Sequence, residues 1–342
     1  MVRQRVKRPT SKDVAELAGV SRATVSYVIN NKQGGTIRVS ESTRLKVLDA
    51  VEHLKYRPAR AAQALKTQRS NLLALVIPHI DTAFQPQFAA AVQREAETHG
   101  MDITIRATRD EPERERDFVD SLISRGVDGA IIHSHHPSNE HIESLVDAGI
   151  SVVIHGNSPS HSFADNVMID EIGAAMDAVS FLIEQGHRRI GLITGPDSTW
   201  DGRLRRQGYL NALAKGGIAA ENDLIFGVDF ISEKGSREAM AKLMSLQYPP
   251  TAVFSASDLL AIEAMLYAVD SGLSVPDDVA IIGFDNTREA TMVRPRLTTI
   301  QKDVHLIAST AVQLLCERIN SELFLPSRQV TLEHKLILRE ST

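Results

Sequence analysis

TSKDVAELAGVSRATVSYVIN, residues 10–30, reads as two short helices joined by a tight turn. Thr10 can cap the first helix, with Asp13 three residues on completing a capping-box-like pair, and Val14, Ala15, Leu17 and Ala18 supply a small apolar face. Gly19 permits the turn. Ser21 can cap a second helix in which Ala23, Val25, Val28 and Ile29 pack, leaving Arg22, Thr24, Ser26, Tyr27 and Asn30 largely outward. Those outward groups are of the kinds that meet DNA: Arg and Tyr near the front of such a helix reach base edges, while hydroxyls and amides hold phosphates. Small helical bundles with no such role contain similar pairs, so the surrounding charge matters.

Up to Arg69 there are fifteen Lys and Arg against five Asp and Glu, a net of +10, and the rest of the chain carries −15. The overall charge of −5 therefore hides a basic amino-terminal headpiece suited to a polyanion. A polar loop, NNKQGGTIRVS, leads to Ser40 as the cap of a third helix reaching about Lys55, with Leu45, Val47, Leu48, Val51 and Leu54 facing inward. YRPARAAQALKTQRSN then reads as a hinge. Pro58 suits a first helical turn, and the Ala-rich run to Lys66 is too short to be stable alone, so it folds against a dimer mate or DNA. Leu65 at its end is either a wedge between base pairs in the minor groove or a core residue.

The chain has 342 residues, 43% of them hydrophobic, enough for the headpiece and two further domains. From Asn71 onward apolar strand candidates alternate with amphipathic helices: LLALVIP, MDITIRA, DGAIIHS, SVVIHGN, NVMID, RIGLITG, LIFGVDF, TAVFSAS and VAIIGFD. The expected fold is an all-α helix-turn-helix headpiece plus an α/β core of two doubly wound parallel sheets. Such sheets bind ligands beyond the carboxyl ends of their strands, which gathers Phe84, His133, His155, Trp200, Phe230, Ser257 and Asp285 as candidates for one cleft. No apolar segment follows the basic MVRQRVKRPTSKD and no run of eighteen or more apolar residues occurs, so no membrane is implied and the cytoplasm is the expected compartment. The single cysteine, Cys316, excludes an intrachain disulfide and looks core-facing.

TSKDVAELAGVSRATVSYVIN, YRPARAAQALK, VMIDEIGAAMDAVSFLIEQGHRRIGLITG and VAIIGFDNTREATMVRPRLTTIQKD together resemble, in order and spacing, the LacI/GalR family of bacterial transcription regulators. The resemblance spans nearly the whole chain. It implies a regulator, usually a repressor, that binds a pseudo-palindromic operator as a homodimer, and a core similar to periplasmic sugar-binding proteins. No heptad tail follows LILREST, which favours a dimer over a tetramer. The implied domains are a headpiece over 1–57, a hinge over 58–70 and a core over 71–342. Within the core, the N-subdomain takes about 71–169 plus 300–326 and the C-subdomain about 170–299 plus 327–342.

By position, the resemblance gives base reading to Arg22, Ala23 and Tyr27, phosphate contacts to Ser21, Thr24 and Asn30, and the wedge role to Leu65. Tyr27 and Gln63 depart from arginines common in the family, and Tyr lacks the bidentate fork that favours guanine. In the core it implies that Arg205 grips an effector, Asp285 accepts from its hydroxyls, and Phe84 and Phe230 pack on it, with Trp200 adding a stacking face. His133 and His155 stand where sugar-binding relatives often hold Asn and Asp, and Ser257 where they often carry Asn. That exchange removes negative charge, and with Arg205 and Lys302 nearby it raises the expectation of an acidic effector, a sugar acid or sugar phosphate. HSHHP and His155 lack carboxylate or cysteine companions at metal-ligand spacing, so neither a metal nor any cofactor is expected. With no Gly-rich phosphate loop and no nucleophile motif, catalysis is not expected either.

Overall fold

The capping box forms as the sequence predicts. Helix α1 (Ser11–Ala18) opens with the Thr10 N–H donating to Asp13 Oδ2 at 2.6 Å and the Asp13 N–H donating to Thr10 Oγ1 at 3.4 Å. It ends at Gly19, whose φ of 65° lies in the left-handed region that favours glycine. Ser21 Oγ accepts from the Thr24 N–H at 3.1 Å ahead of α2 (Arg22–Ile29), and Ser40 caps α3 (Glu41–His53) in the same way at 3.2 Å. Val14, Ala15, Val25, Val47 and Ala50 form the small core of these helices. Leu17, Leu45 and Leu48, expected inside, are 52%, 56% and 39% exposed, and Ala23 is exposed too. Each helix brings only one or two positions to a core this small, so an apolar stripe wider than that is left outside.

A computed structural model of the chain describes residues 9–29, 39–57, 69–109, 111–134, 139–157 and 163–342. Two compact units result, Met1–Ser70 and Asn71–Thr342. The second contains β1 (Leu72–Ile77), α4 (Phe84–Thr98), β2 (Asp102–Ala107), α5 (Pro112–Arg125), β3 (Gly129–His133), α6 (Asn139–Asp147), β4 (Ser151–His155) and β5 (Asp165–Ile169). It continues through α7 (Glu171–Glu184), β6 (Ile190–Thr194), α8 (Trp200–Lys215), β7 (Ile225–Gly227), α9 (Glu233–Met244), β8 (Ala252–Ser255), α10 (Asp258–Asp270), β9 (Ala280–Asp285) and β10 (Thr298–Lys302). It closes with α11 (Val304–Asn320), β11 (Gln329–Leu332) and β12 (His334–Ile337).

All nine apolar runs read as strands are strands. They fall into two six-stranded sheets, ordered β11-β5-β4-β3-β1-β2 and β12-β10-β9-β8-β6-β7, parallel throughout except that β12 pairs antiparallel with β10. Strands β3 and β6 are buried along their whole length, as helices on both faces of a parallel sheet require. The first lobe packs around Leu73, Leu75, Phe88 and Ile131 with Leu315 of α11, and the second around Leu192, Tyr209, Phe254 and Phe284. Cys316 is buried on α11 in the first of these cores.

The chain passes between the sheets after Ile169, Lys302 and Leu332. The last two crossings differ from the boundaries expected at 299/300 and 326/327. Strand β10 pairs with β9 as far as Gln301, and β11 pairs with β5 of the first sheet. Buried Asp165 holds the final return: it accepts from Arg318 at 2.5 Å and from Arg328 at 2.7 Å, joining the end of α11 and the approach to β11 to the first strand of the crossover.

Candidate functional site

In each sheet the strand order reverses beside the first strand of its lobe, between β1 and β3 and between β6 and β8, and the loops leaving those carboxyl ends line one cleft. Its empty volume is about 580 Å³. On the first lobe, Phe84 opens α4 after the β1 loop, and His133 and His155 end β3 and β4 in direct register, their ring centroids 4.7 Å apart. Phe84 lies 6.2 Å from His133 and Phe88 lies 5.0 Å from His155. The Val167 carbonyl is 3.0 Å from His155 Nδ1, which assigns the proton to Nδ1 and leaves Nε2 an acceptor with no hydrogen-bond partner among the described residues. Burial pushes the His155 pKa down to about 4 despite the carbonyl, so the ring is neutral.

The second lobe contributes charge. Arg205, 3% exposed, donates through Nε to Glu171 Oε2 at 2.6 Å and through Nη1 to the Ala256 carbonyl at 2.5 Å, and its Nη2 is 3.8 Å from Asp201. The Arg205 guanidinium carbon lies over the Phe284 ring, 4.0 Å from its centre, and 5.7 Å from the centre of the Phe230 ring. Burial opposes the arginine's charge, but Glu171 and Asp201 outweigh it and the guanidinium pKa rises. Glu171 is itself pushed up by burial, only partly offset by Arg205.

Lys302 Nζ sits 2.6 Å from Asp285 Oδ1 and 4.0 Å from the Phe84 ring centre. Asp285 has φ of 115°, a conformation that an L side chain adopts only at a cost, and such strain concentrates where geometry serves a ligand. Behind it Asp258, fully buried, accepts from Thr299 Oγ1 at 2.5 Å and from the Thr287 N–H at 2.6 Å. Burial, reinforced by Asp285, raises its pKa to about 7. Phe230 is seated over Gly195, where a Cβ would collide with its ring.

Of the nine core positions singled out in the sequence, Phe84, His133, Arg205, Phe230, Asp285 and Lys302 line the cleft together. The other three stand outside its lining: His155 lies against Phe84 and Phe88, Ser257 caps α10 by accepting from the Leu260 N–H, and Trp200 stacks with Arg203 at 4.4 Å. Trp200 therefore offers its face to an arginine of its own helix rather than to the cleft, and the Ser257 hydroxyl is committed to backbone. Sequence reasoning missed Asp201, Glu171, Phe284 and Asp258. Asp201 was findable, since it stands four residues before Arg205 on one helix. Glu171 gives no local signal, lying 34 residues away.

In the headpiece, Ser21, Arg22 and Ala23 are exposed while Thr24 and Tyr27 are half-buried. Asn30, Gln63, Leu65, His135 and His136 lie outside the described residues. Among the described residues no cluster of three His, Cys, Asp or Glu could hold a metal ion, and no helix is long and apolar enough to cross a membrane.

A three-helix headpiece and a two-lobed α/β core with a polar cleft at the strand ends define a helix-turn-helix regulator of the periplasmic-binding-protein-like class. Residues 10–59 match the bacterial regulatory proteins of the lacI family, and residues 179–342 match the periplasmic binding protein-like domain. The chain is 34% identical to catabolite control protein A of Priestia megaterium over 96% of this chain and 98% of that protein. Among solved structures it resembles a transcriptional regulator CelR–cellobiose complex, with TM-score 0.74 and 32% identity over 98% of this chain and 100% of that one. It also resembles the lac repressor dimer bound to operator and the anti-inducer ONPF, with TM-score 0.86 and 27% identity over 98% and 99% of the two chains. The chain belongs to the LacI family of bacterial regulatory proteins, and is a DNA-binding transcriptional repressor rather than an enzyme.

Proposed function

We propose that this repressor's hold on its operator is controlled by a small carbohydrate-like effector bound between the two lobes of the core. The observation that carries the reading is the cleft itself: Arg205 with Glu171, and Lys302 with Asp285, set two cation–carboxylate pairs among the rings of Phe84 and Phe230. Hydroxyls both donate and accept, so they can meet both members of such a pair, while the C–H face of a sugar ring lies on an aromatic ring. The cellobiose held by the CelR relative supports the same ligand class. The acidic variant loses its support, because Arg205 and Lys302 each already face a carboxylate at 2.6 Å.

In this reading residues 1–57 are the headpiece and 58–70 the hinge, acting in the cytoplasm as a homodimer on a pseudo-palindromic duplex. Arg22, Ala23 and Tyr27 meet bases, Ser21, Thr24 and Asn30 meet phosphates, and Leu65 enters the minor groove. Effector and operator favour different arrangements of the two lobes, so each weakens the other's binding by linkage. A mobility-shift titration of the full-length protein on its own upstream region, with and without a panel of sugars, tests it. A sequence-specific complex that one sugar weakens is expected, and Arg22→Ala should lose about 1–3 kcal/mol of sequence preference. No preference over random duplex, with or without any sugar, would end the proposal.

A further inference from the structure

Resting on that effector reading, the wall that carries Asp285 shows how its carboxylate is aimed. The backbone leaves β9 through two consecutive residues of positive φ, Asp285 at 115° and Asn286 at 56°. Such conformations persist where the surroundings over-determine them. From behind, the Thr287 N–H donates to Asp258 Oδ2 at 2.6 Å, and the Asn286 N–H donates at 3.3 Å to Thr299 Oγ1, which itself donates to Asp258 Oδ1 at 2.5 Å. A Cβ at Gly283 would collide with that Asp258 oxygen, so β9 leaves room for the carboxyl.

The Asn286 side chain is held from a third direction, by a residue distant in the sequence. Arg339, half-buried after β12, donates through Nη2 to Asn286 Oδ1 at 2.5 Å and through Nη1 to the Leu297 carbonyl at 2.6 Å, and its N–H donates to Thr298 Oγ1 at 2.9 Å. Leu297 immediately precedes β10. One planar fork thus ties the turn that presents Asp285 to the start of the strand that brings Lys302 to the same carboxylate. The arginine's own backbone is fixed too. The Glu340 and Ser341 N–H groups donate to the Arg296 carbonyl at 3.0 and 3.1 Å. Buried Ser341 accepts from the Ile281 N–H at 2.8 Å and donates through its hydroxyl to the Ile281 carbonyl at 2.6 Å.

We infer that Arg339 is a positioning residue for the effector: by bonding Asn286 and Leu297 at once, it sets the Asp285 carboxylate in place beside Lys302. Arg339 itself stands outside the cleft lining and acts through the turn.

Three readouts on the full-length parent, Arg339→Met, Asn286→Gly and the double variant test this. Glycine keeps the left-handed turn while removing the acceptor. Calorimetric titrations use glucose, galactose, ribose and cellobiose, each up to about 10 mM. The sugar that binds the parent should lose about tenfold in affinity in either single variant and no more than about threefold further in the double. Operator affinity without sugar, from mobility shifts on the protein's own upstream region, should stay within about twofold of the parent. Hydrogen exchange at the Asn286 and Thr287 amides should quicken about tenfold or more in Arg339→Met while β6 stays protected. Parental exchange at those two amides overturns the inference, as does faster exchange with parental sugar affinity. Losses that multiply in the double variant overturn the link between Arg339 and Asn286. An equal loss of operator affinity without sugar makes Arg339 a general scaffold residue and overturns the inference as well. Binding of none of the four sugars by the parent argues against the carbohydrate reading, and exchange at the two amides then decides for or against Arg339 by itself. Should Arg339→Met not fold, Asn286→Gly tests the same bond from its other end by all three readouts.

Discussion

The two lobes share one strand order yet bring opposite chemistry to the cleft they close. The first contributes rings, Phe84, His133 and behind them Phe88 and His155, whereas Glu171, Asp201, Arg205, Asp285 and Lys302 all belong to the second. Arg205, Glu171 and the Ala256 carbonyl come from α8, the start of α7 and the residue after β8, all in the second lobe. Lys302 reaches across, from β10 to the face of Phe84. The doubly wound topology thus fixes where a ligand binds, and loop composition fixes what it meets.

The largest test breaks the charged side. Arg205→Ala leaves Glu171 buried without its cation, and removing one member of a buried pair costs about 3–5 kcal/mol. Denaturant unfolding should show that loss, and effector titration should show no response even under conditions where the variant is folded. An unchanged unfolding midpoint would mean that the second lobe does not depend on this network.

On the ring side the expected loss is smaller and of another kind. Phe84→Ala opens a cavity beside Phe88 and should cost about 3 kcal/mol, while Phe84→Leu keeps most of the volume and should cost less than about 1.5 kcal/mol. Both remove the face on which Lys302 rests. If closure is read through that contact, Phe84→Leu retains stability but weakens the effector's influence on operator binding in a mobility-shift titration. A leucine variant with full response would place the reporting contact elsewhere.

How much of this was legible in the sequence follows from how local each feature is. The headpiece was readable because Thr10, Asp13, Gly19 and Ser21 act on neighbours within four residues. Buried parallel strands were readable as apolar runs. Strands β10, β11 and β12 were not, because TTIQK, QVTL and HKLI are short or polar and become strands only through partners far away in the chain. Helix α6 was passed over too, in a segment with few apolar residues. In the cleft, residue types at strand ends located Phe84, His133, Phe230 and Asp285, and the family resemblance added Arg205 and Lys302. The compensation of Arg205 by Glu171 and of Lys302 by Asp285 could not be seen, since it depends on pairings across 34 and 17 residues. The expectation of an acidic ligand was framed without those pairings, and the local partners of Trp200 and Ser257, the Arg203 guanidinium and the Leu260 N–H, were equally out of sight.

The smallest test compares one titrating group from each lobe. His155 has its pKa lowered from 6.5 to about 4, so on acidification the unfolded chain takes up a proton that the folded protein refuses, and stability falls between those values. Asp258 has its pKa raised from 3.8 to about 7, so between those values the folded protein holds a proton that the unfolded chain has released, and stability rises on acidification. Over the shared range each state takes up one proton, and the two contributions to the slope oppose each other. Replacing one group exposes the other. Relative to the parent, His155→Gln should tilt stability upward as pH falls from 6.5 toward 4, and Asp258→Asn should tilt it downward, each by less than about 1.4 kcal/mol per pH unit. The differences between the denaturant midpoints of the three proteins read these two groups together with the neighbours coupled to them. If both variants tilt the same way, the rings of the first lobe and the acids of the second are not protonated as their burial dictates, and the division of chemistry between the lobes fails with them.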